Sequence, residues 1–142
     1  MGIASVTTII LVGAFVCVLS LTLQSHSSGW YILAVYYRSS APFTGRTWHF
    51  RAASFRTFYP YWLTLTIGAN HSGLYLAQLW PWRLTHPPLL VPWADITFEA
   101  RRWFEIGARS LLLGREHPVR VTISRRIIAE MQGYKNEVFA SA

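Results

Sequence analysis

The period of apolar and polar positions changes twice along this chain. From Ile3 to Leu23 it reads IASVTTIILVGAFVCVLSLTL, with no charged residue and no proline. At about 1.5 Å per residue, a helix of that length matches the roughly 30 Å hydrocarbon core of a bilayer. A membrane-spanning helix is therefore expected within residues 1–25. Residues 27–40, SSGWYILAVYYRSS, open on a serine cap and place Trp30, Leu33, Ala34 and Tyr37 on one face at helical spacing. Trp30, Tyr31, Tyr36 and Tyr37 form an aromatic cluster just beyond the span, where rings favour the membrane–water interface. Residues 26–45 are thus expected to be a short interfacial helix that lies along the headgroups, packs on the following domain as a lid, or does both, followed by the linker APFTG.

After residue 45 the period becomes two. RTWHFRAASFR (46–56), YWLTLTIGA (61–69), GLYLAQLW (73–80), TFEARRWFEI (97–106), RSLLLG (109–114) and VRVTI (119–123) read as strands. In the second, Leu63, Leu65 and Ile67 share one face; NHSG (70–73) is a hairpin turn. THPPLLVPWADI (85–96) packs three prolines into twelve residues. It is expected to be a stiff corner between sheets, with Leu89 and Val91 in the core, because proline cannot donate to a sheet ladder. SRRIIAEMQGY carries a serine cap, an apolar stripe of Ile127, Ile128 and Met131, and Gly133 as a stop. The tail 135–142 has no clear pattern. The fold class is α+β: one transmembrane helix, a small antiparallel β-barrel or sandwich of about seven strands, and a C-terminal helix.

The order YWLTLTI, GLYLAQL, PPLLVPWADITFEA, SLLLG and VRVTIS, followed by a helix, resembles the pleckstrin-homology/GRAM-like superfold over residues 46–134. That resemblance implies a small cytoplasmic module of the kind that membrane-anchored bacterial members carry. The inositol-phosphate-binding subset of that superfold clusters its basic residues on one side of the first hairpin. Here Arg46, Arg51 and Arg56 are spaced by five and alternate faces along a strand.

Charge adds orientation. The chain has 142 residues and a formal net charge of +7. Up to Trp93 its charged residues are five arginines, Arg38, Arg46, Arg51, Arg56 and Arg83, and every carboxylate lies from Asp95 onward. Only Met1 and Gly2 precede the apolar stretch, so a retained anchor is expected rather than a cleaved signal. The arginines that follow it predict an N-terminus outside and a C-terminal domain in the cytoplasm, at the inner membrane. Cys17 is the single cysteine, which rules out an intrachain disulfide. Arg38, Arg46, Arg51 and Arg56 are candidates for lipid phosphate, since basic residues beside a membrane are drawn to anionic headgroups.

Signals for chemistry are poor. There is no phosphate-cradling glycine loop, HExxH motif or paired cysteine, and no cofactor or metal is expected. His26, His49, His71, His86 and His117 are scattered singly. Asp95 and Glu99 are expected to form surface ion pairs beside Arg101. Ser5, Thr7, Thr8, Gly13, Ser20 and Thr22 would let a partner helix approach the span closely. The aromatic load, with Trp62, Trp80, Trp82, Trp93 and Trp103 beyond what one small barrel holds, points to surface contacts. The expected function is a non-enzymatic accessory subunit that binds and stabilises a larger membrane complex, such as a respiratory or photosynthetic assembly. Its interface would be formed by Trp30, Tyr31, Tyr36, Tyr37, Trp80, Trp82, Arg83 and Trp93. The expected partners are the bilayer and other membrane subunits, not nucleic acid. The alternative is an anionic-lipid-binding module, and an enzyme is the third reading.

Overall fold

The computed structural model describes residues 2–56, 59–100 and 106–141. A 26-residue helix, α1 (Ile3–Ser28), is long and apolar enough to cross a membrane. Every residue from Ile3 to Ser20 is exposed. Only Leu21, Ser25 and Ser28 are buried. A helix that is apolar all round and projects from the rest of the molecule is not a core helix of a soluble domain. Along it, Thr7, Thr8, Ser20 and Thr22 each donate to the carbonyl four residues earlier, at 2.8–2.9 Å. Their hydroxyls are satisfied without a partner helix.

Gly29, at φ 87°, ends α1 and redirects the chain into α2 (Trp30–Tyr37). A Cβ there would lie 2.9 Å from a Val119 methyl and 3.0 Å from Arg56 Nε. The bend therefore needs glycine both for its left-handed backbone and for close approach to the barrel. α1 runs through Ser25–Ser28, so the serine cap expected at 27–28 is helix interior.

Seven strands follow: β1 (Arg46–Phe55), β2 (Tyr59–Ala69), β3 (Gly73–Gln78), β4 (Leu89–Pro92), β5 (Ile96–Phe98), β6 (Ala108–Leu113) and β7 (Val119–Ser124). They form one antiparallel sheet in the order β4-β3-β2-β1-β7-β6-β5. The two edge strands, β4 and β5, are consecutive in sequence and joined by a single tight turn over Trp93–Asp95, so the sheet curls into a nearly closed barrel. Two irregularities bend it. Register slips between Trp48 and Arg51, and again between Arg51 and Ala53, where Phe50 and Leu63 both take φ 52°. Such bulges sharpen the twist at barrel corners, and both side chains are pushed outward.

The 85–96 segment is only partly the corner that its prolines suggest. Leu89–Pro92 pairs with β3 as a true strand, and the crossing between edges falls at Trp93–Asp95. The prolines instead bracket an edge strand, where a missing donor discourages pairing with another chain. Gly73 lies opposite Pro92 in this ladder, and a Cβ on it would run into the Val91 carbonyl. Gly73→Ala should therefore part β3 from β4 and cost about 2 kcal/mol, read as a lowered denaturation midpoint.

One core runs through the barrel, from Trp30 and Leu33 through Phe55, Tyr61, Leu65 and Ile67 to Ile128 and Met131. α2 closes one end. The last helix, α3 (Arg125–Ala140), closes the other. α3 does not stop at Gly133. Tyr134 and Val138 pack on the core and Lys135 Nζ donates to the Ile96 carbonyl at 3.0 Å, and these contacts outweigh one glycine's helix cost of about 1 kcal/mol. Of the strand expected at 97–106, Thr97 and Phe98 lie in β5 and residues 101–105, with Arg101 and Trp103, lie outside the described residues.

Candidate functional site at the junction of helix and barrel

The sequence separates Ser28, Tyr61 and His86; the fold joins them in a buried chain. β2 brings the Tyr61 hydroxyl 2.8 Å from Ser28 Oγ at the end of α1. The same hydroxyl lies 2.8 Å from His86 Nε2. His86 Nδ1 lies 3.1 Å from the Trp82 carbonyl and 2.9 Å from Thr85 Oγ1. A carbonyl only accepts, so Nδ1 carries the hydrogen and Nε2 accepts from Tyr61. The Tyr61 oxygen then accepts from Ser28. Every heteroatom in the chain has a partner, which is the condition for burying such groups without penalty.

Trp30 caps this chain. Its ring lies within 5.3–5.8 Å of the Phe55, Tyr61 and His86 rings, and its indole N–H donates to the Pro87 carbonyl at 3.0 Å. Trp30 and His86 are fully buried. Burial pushes the His86 imidazole down to about 4, against the opposing pull of the Trp82 carbonyl. It pushes the Tyr61 phenol up to about 12, with the Ser28 hydrogen bond opposing. Both shifts favour the uncharged form, as burial of the two groups requires. The Ser28–Tyr61–His86 chain ties the end of α1 to the barrel.

The expected interface residues are dispersed. Trp30 is in the core and not among headgroups, because α2 turns its Trp30–Leu33 face into the barrel mouth. Trp93 is also buried, donating to the Asn70 carbonyl at 2.8 Å; it is not part of a rim. Tyr31 is exposed and stacks on His26 at 4.2 Å. Tyr36 is exposed and reaches Glu116, and Tyr37 donates to Asp95 at 2.9 Å. Trp80 and Arg83 are exposed and Trp82 is half-buried.

Of the candidate phosphate ligands, Arg46 and Arg51 share one cavity, while Arg38 and Arg56 lie elsewhere. Arg46 sits at the end of β1 opposite Ala69 and pairs with Glu130 at 2.9 Å. Arg56 spends one donor on the Ser27 carbonyl at 3.2 Å. Arg51 lines a cavity of about 180 Å³ with Arg46, Arg126 and Glu130. Arg38 follows α2 and bridges to Leu89 through its backbone. Asp95 pairs with Arg115 at 2.9 Å, and Glu99 accepts from Nε and Nη2 of Arg120 at 2.8 and 2.9 Å. These are structural ion pairs; the neighbour expected beside them, Arg101, lies outside the described residues.

Among the described residues, no three His, Cys, Asp or Glu side chains come together to hold a metal ion. Comparison with protein-family models, with curated proteins and with solved structures gives no match. The class that geometry defines is a nearly closed seven-stranded antiparallel barrel with an apolar, membrane-length helix built into one mouth. The junction was missed in the sequence because Tyr61 looked like a strand residue and His86 like a turn residue. The one available signal was a histidine placed directly before two prolines.

Proposed function

We propose that α1 crosses the inner membrane with its N-terminus outside, and that the barrel is a rigidly mounted cytoplasmic module serving a larger membrane complex as a non-enzymatic accessory subunit. The observation that carries this reading is the junction. A tethered domain would hang from a flexible linker, whereas here Trp30 and Leu33 follow α1 directly into the barrel core. A domain fixed to its span presents the same faces to neighbouring subunits at all times, which lowers the ordering cost of association. The four-then-three strand arrangement with a closing C-terminal helix supports the pleckstrin-homology/GRAM-like reading. Arg46 is paired with Glu130 and Arg56 turns to α1, away from the cavity that Arg46 and Arg51 share, which favours a scaffold over an inositol-phosphate receptor.

The test uses the tagged full chain, extracted from its native membrane in mild detergent and resolved by size. Migration with a defined set of membrane subunits is expected. Migration only as the free chain would overturn the reading.

A further inference from the structure

We propose that the helix-side face of the barrel is a second membrane contact, with Leu63, Leu79, Trp80 and Leu84 resting in the headgroup region around Arg83. This rests on the reading that α1 spans the bilayer.

The first argument is depth. A hydrocarbon core of about 30 Å takes roughly twenty helical residues, which counted from Ile3 end at Thr22. Leu21 is nonetheless buried. It lies seven residues before Ser28, which places it about 10 Å nearer the span. The rest of the molecule therefore covers α1 at the level where hydrocarbon gives way to headgroups, and both α2 and β2 are packed on α1. The barrel and the bilayer surface meet without a gap.

The second argument is position. Leu63 is two residues beyond Tyr61, the β2 residue bonded to Ser28. The Leu79 N–H donates to the Thr64 carbonyl at 3.0 Å, so the chain leaving β3 stays beside this part of β2. The turn Trp82–Leu84 that follows is tied to α1 through His86 and Tyr61. At the other end of β2 and β3, roughly 20 Å further on at about 3.3 Å per residue, the hairpin is polar: Asn70, His71, Ser72.

The third argument is chemistry. Leu63, Trp80 and Leu84 are 63, 77 and 64% exposed, and Leu79 38%. Leu79, Trp80 and Arg83 line one cavity, and exposed apolar side chains beside an exposed arginine suit the interface, where Trp rings sit at headgroup level and Arg meets lipid phosphate. The patch is continuous with a spanning helix and held rigidly to it, so the nearest surface available to cover it is the bilayer.

The test uses the purified full chain alone, in nanodiscs of phosphatidylethanolamine and phosphatidylglycerol. Single spin labels are placed in a Cys17→Ala background by Trp80→Cys, Leu84→Cys, Ser72→Cys and Val12→Cys. Oxygen and a water-soluble nickel complex then compete as relaxers. Labels at 80 and 84 are expected to favour oxygen several-fold more than the label at 72, approaching the label at 12. As a label-free readout, Trp80→Phe should remove part of the Trp quenching by brominated lipid. Nickel access at 80 and 84 equal to that at 72, with position 12 in lipid, would overturn the seat and leave the anchor reading standing. Nickel access at 12 would overturn both. Exclusion of both relaxers at 80 and 84 would assign the patch to a second copy and also overturn it. Association with partner subunits is read separately in native membranes, so the two proposals fail independently.

Discussion

Trp30→Ala is expected to cost about 3–5 kcal/mol of folding stability, the range for a buried aromatic cut to alanine. Three losses combine at this position. The indole fills the barrel mouth against Phe55, Tyr61 and His86. Its N–H satisfies the Pro87 carbonyl. Its removal also opens the Ser28–Tyr61–His86 chain to partial hydration. Because domain stabilities are only about 5–15 kcal/mol, the loss is a large share of the total. Denaturant unfolding of the full chain in detergent checks the magnitude. Protease should also cut sooner between residues 38 and 45, where the chain leaves α2. A loss below about 1 kcal/mol, typical of an exposed site, would show that the helix does not depend on the barrel for its placement.

Stability should also fall as pH drops from about 6.5 towards 4, through His86. In the folded chain its pKa is pushed down to about 4 by burial, whereas a solvated histidine titrates near 6.5. Between those values the unfolded chain binds a proton that the folded chain does not. The contribution is complete above the unfolded value and is lost as pH falls towards the folded one, to a total of up to about 3 kcal/mol. A protonated Nε2 would also face the Tyr61 hydroxyl donor to donor. Other groups titrate in the same range and do so equally in wild type and variant. The comparison is therefore between wild type and His86→Gln, unfolded in denaturant at pH 7 and at pH 4.5. The variant should start less stable and lose less on acidification. Parallel losses in the two chains would remove His86 as the titrating group.

Much of the fold was readable from period alone. Alternation over Leu65–Ile67 and Val119–Ser124 marks strands because one face of each is core, and Asn70–Gly73 marks the turn from β2 to β3. Alternation failed at Phe50 and Leu63, where bulges at positive φ turn side chains outward against the pattern. It also failed at Leu89–Pro92, since proline content suggested a corner where an edge strand tolerates it. Gly133 was misread because a propensity signal of about 1 kcal/mol is weaker than the packing of Tyr134 and Val138. The exposed members of the candidate interface, Tyr31, Tyr36, Trp80 and Arg83, were legible as types suited to surfaces. Trp30 and Trp93 have the same chemistry, and only their neighbours send them inside.

The sequence by itself determined the order of elements, the length and apolar character of α1, and the separation of a basic first half from an acidic-containing second half. Hydrophobic period and span length are local properties, written within a dozen or two adjacent residues. Only the tertiary structure decided that α1 ends against the barrel, that His86 is buried, and that Arg46 and Arg51 share a cavity while Arg56 turns to α1. Ser28, Tyr61 and His86 are separated by 33 and 25 positions. Their meeting depends on barrel closure, the bulges in β1 and β2, and the bend at Gly29 acting together. A periodic pattern shows which face of an element is buried; it does not show what that face is buried against.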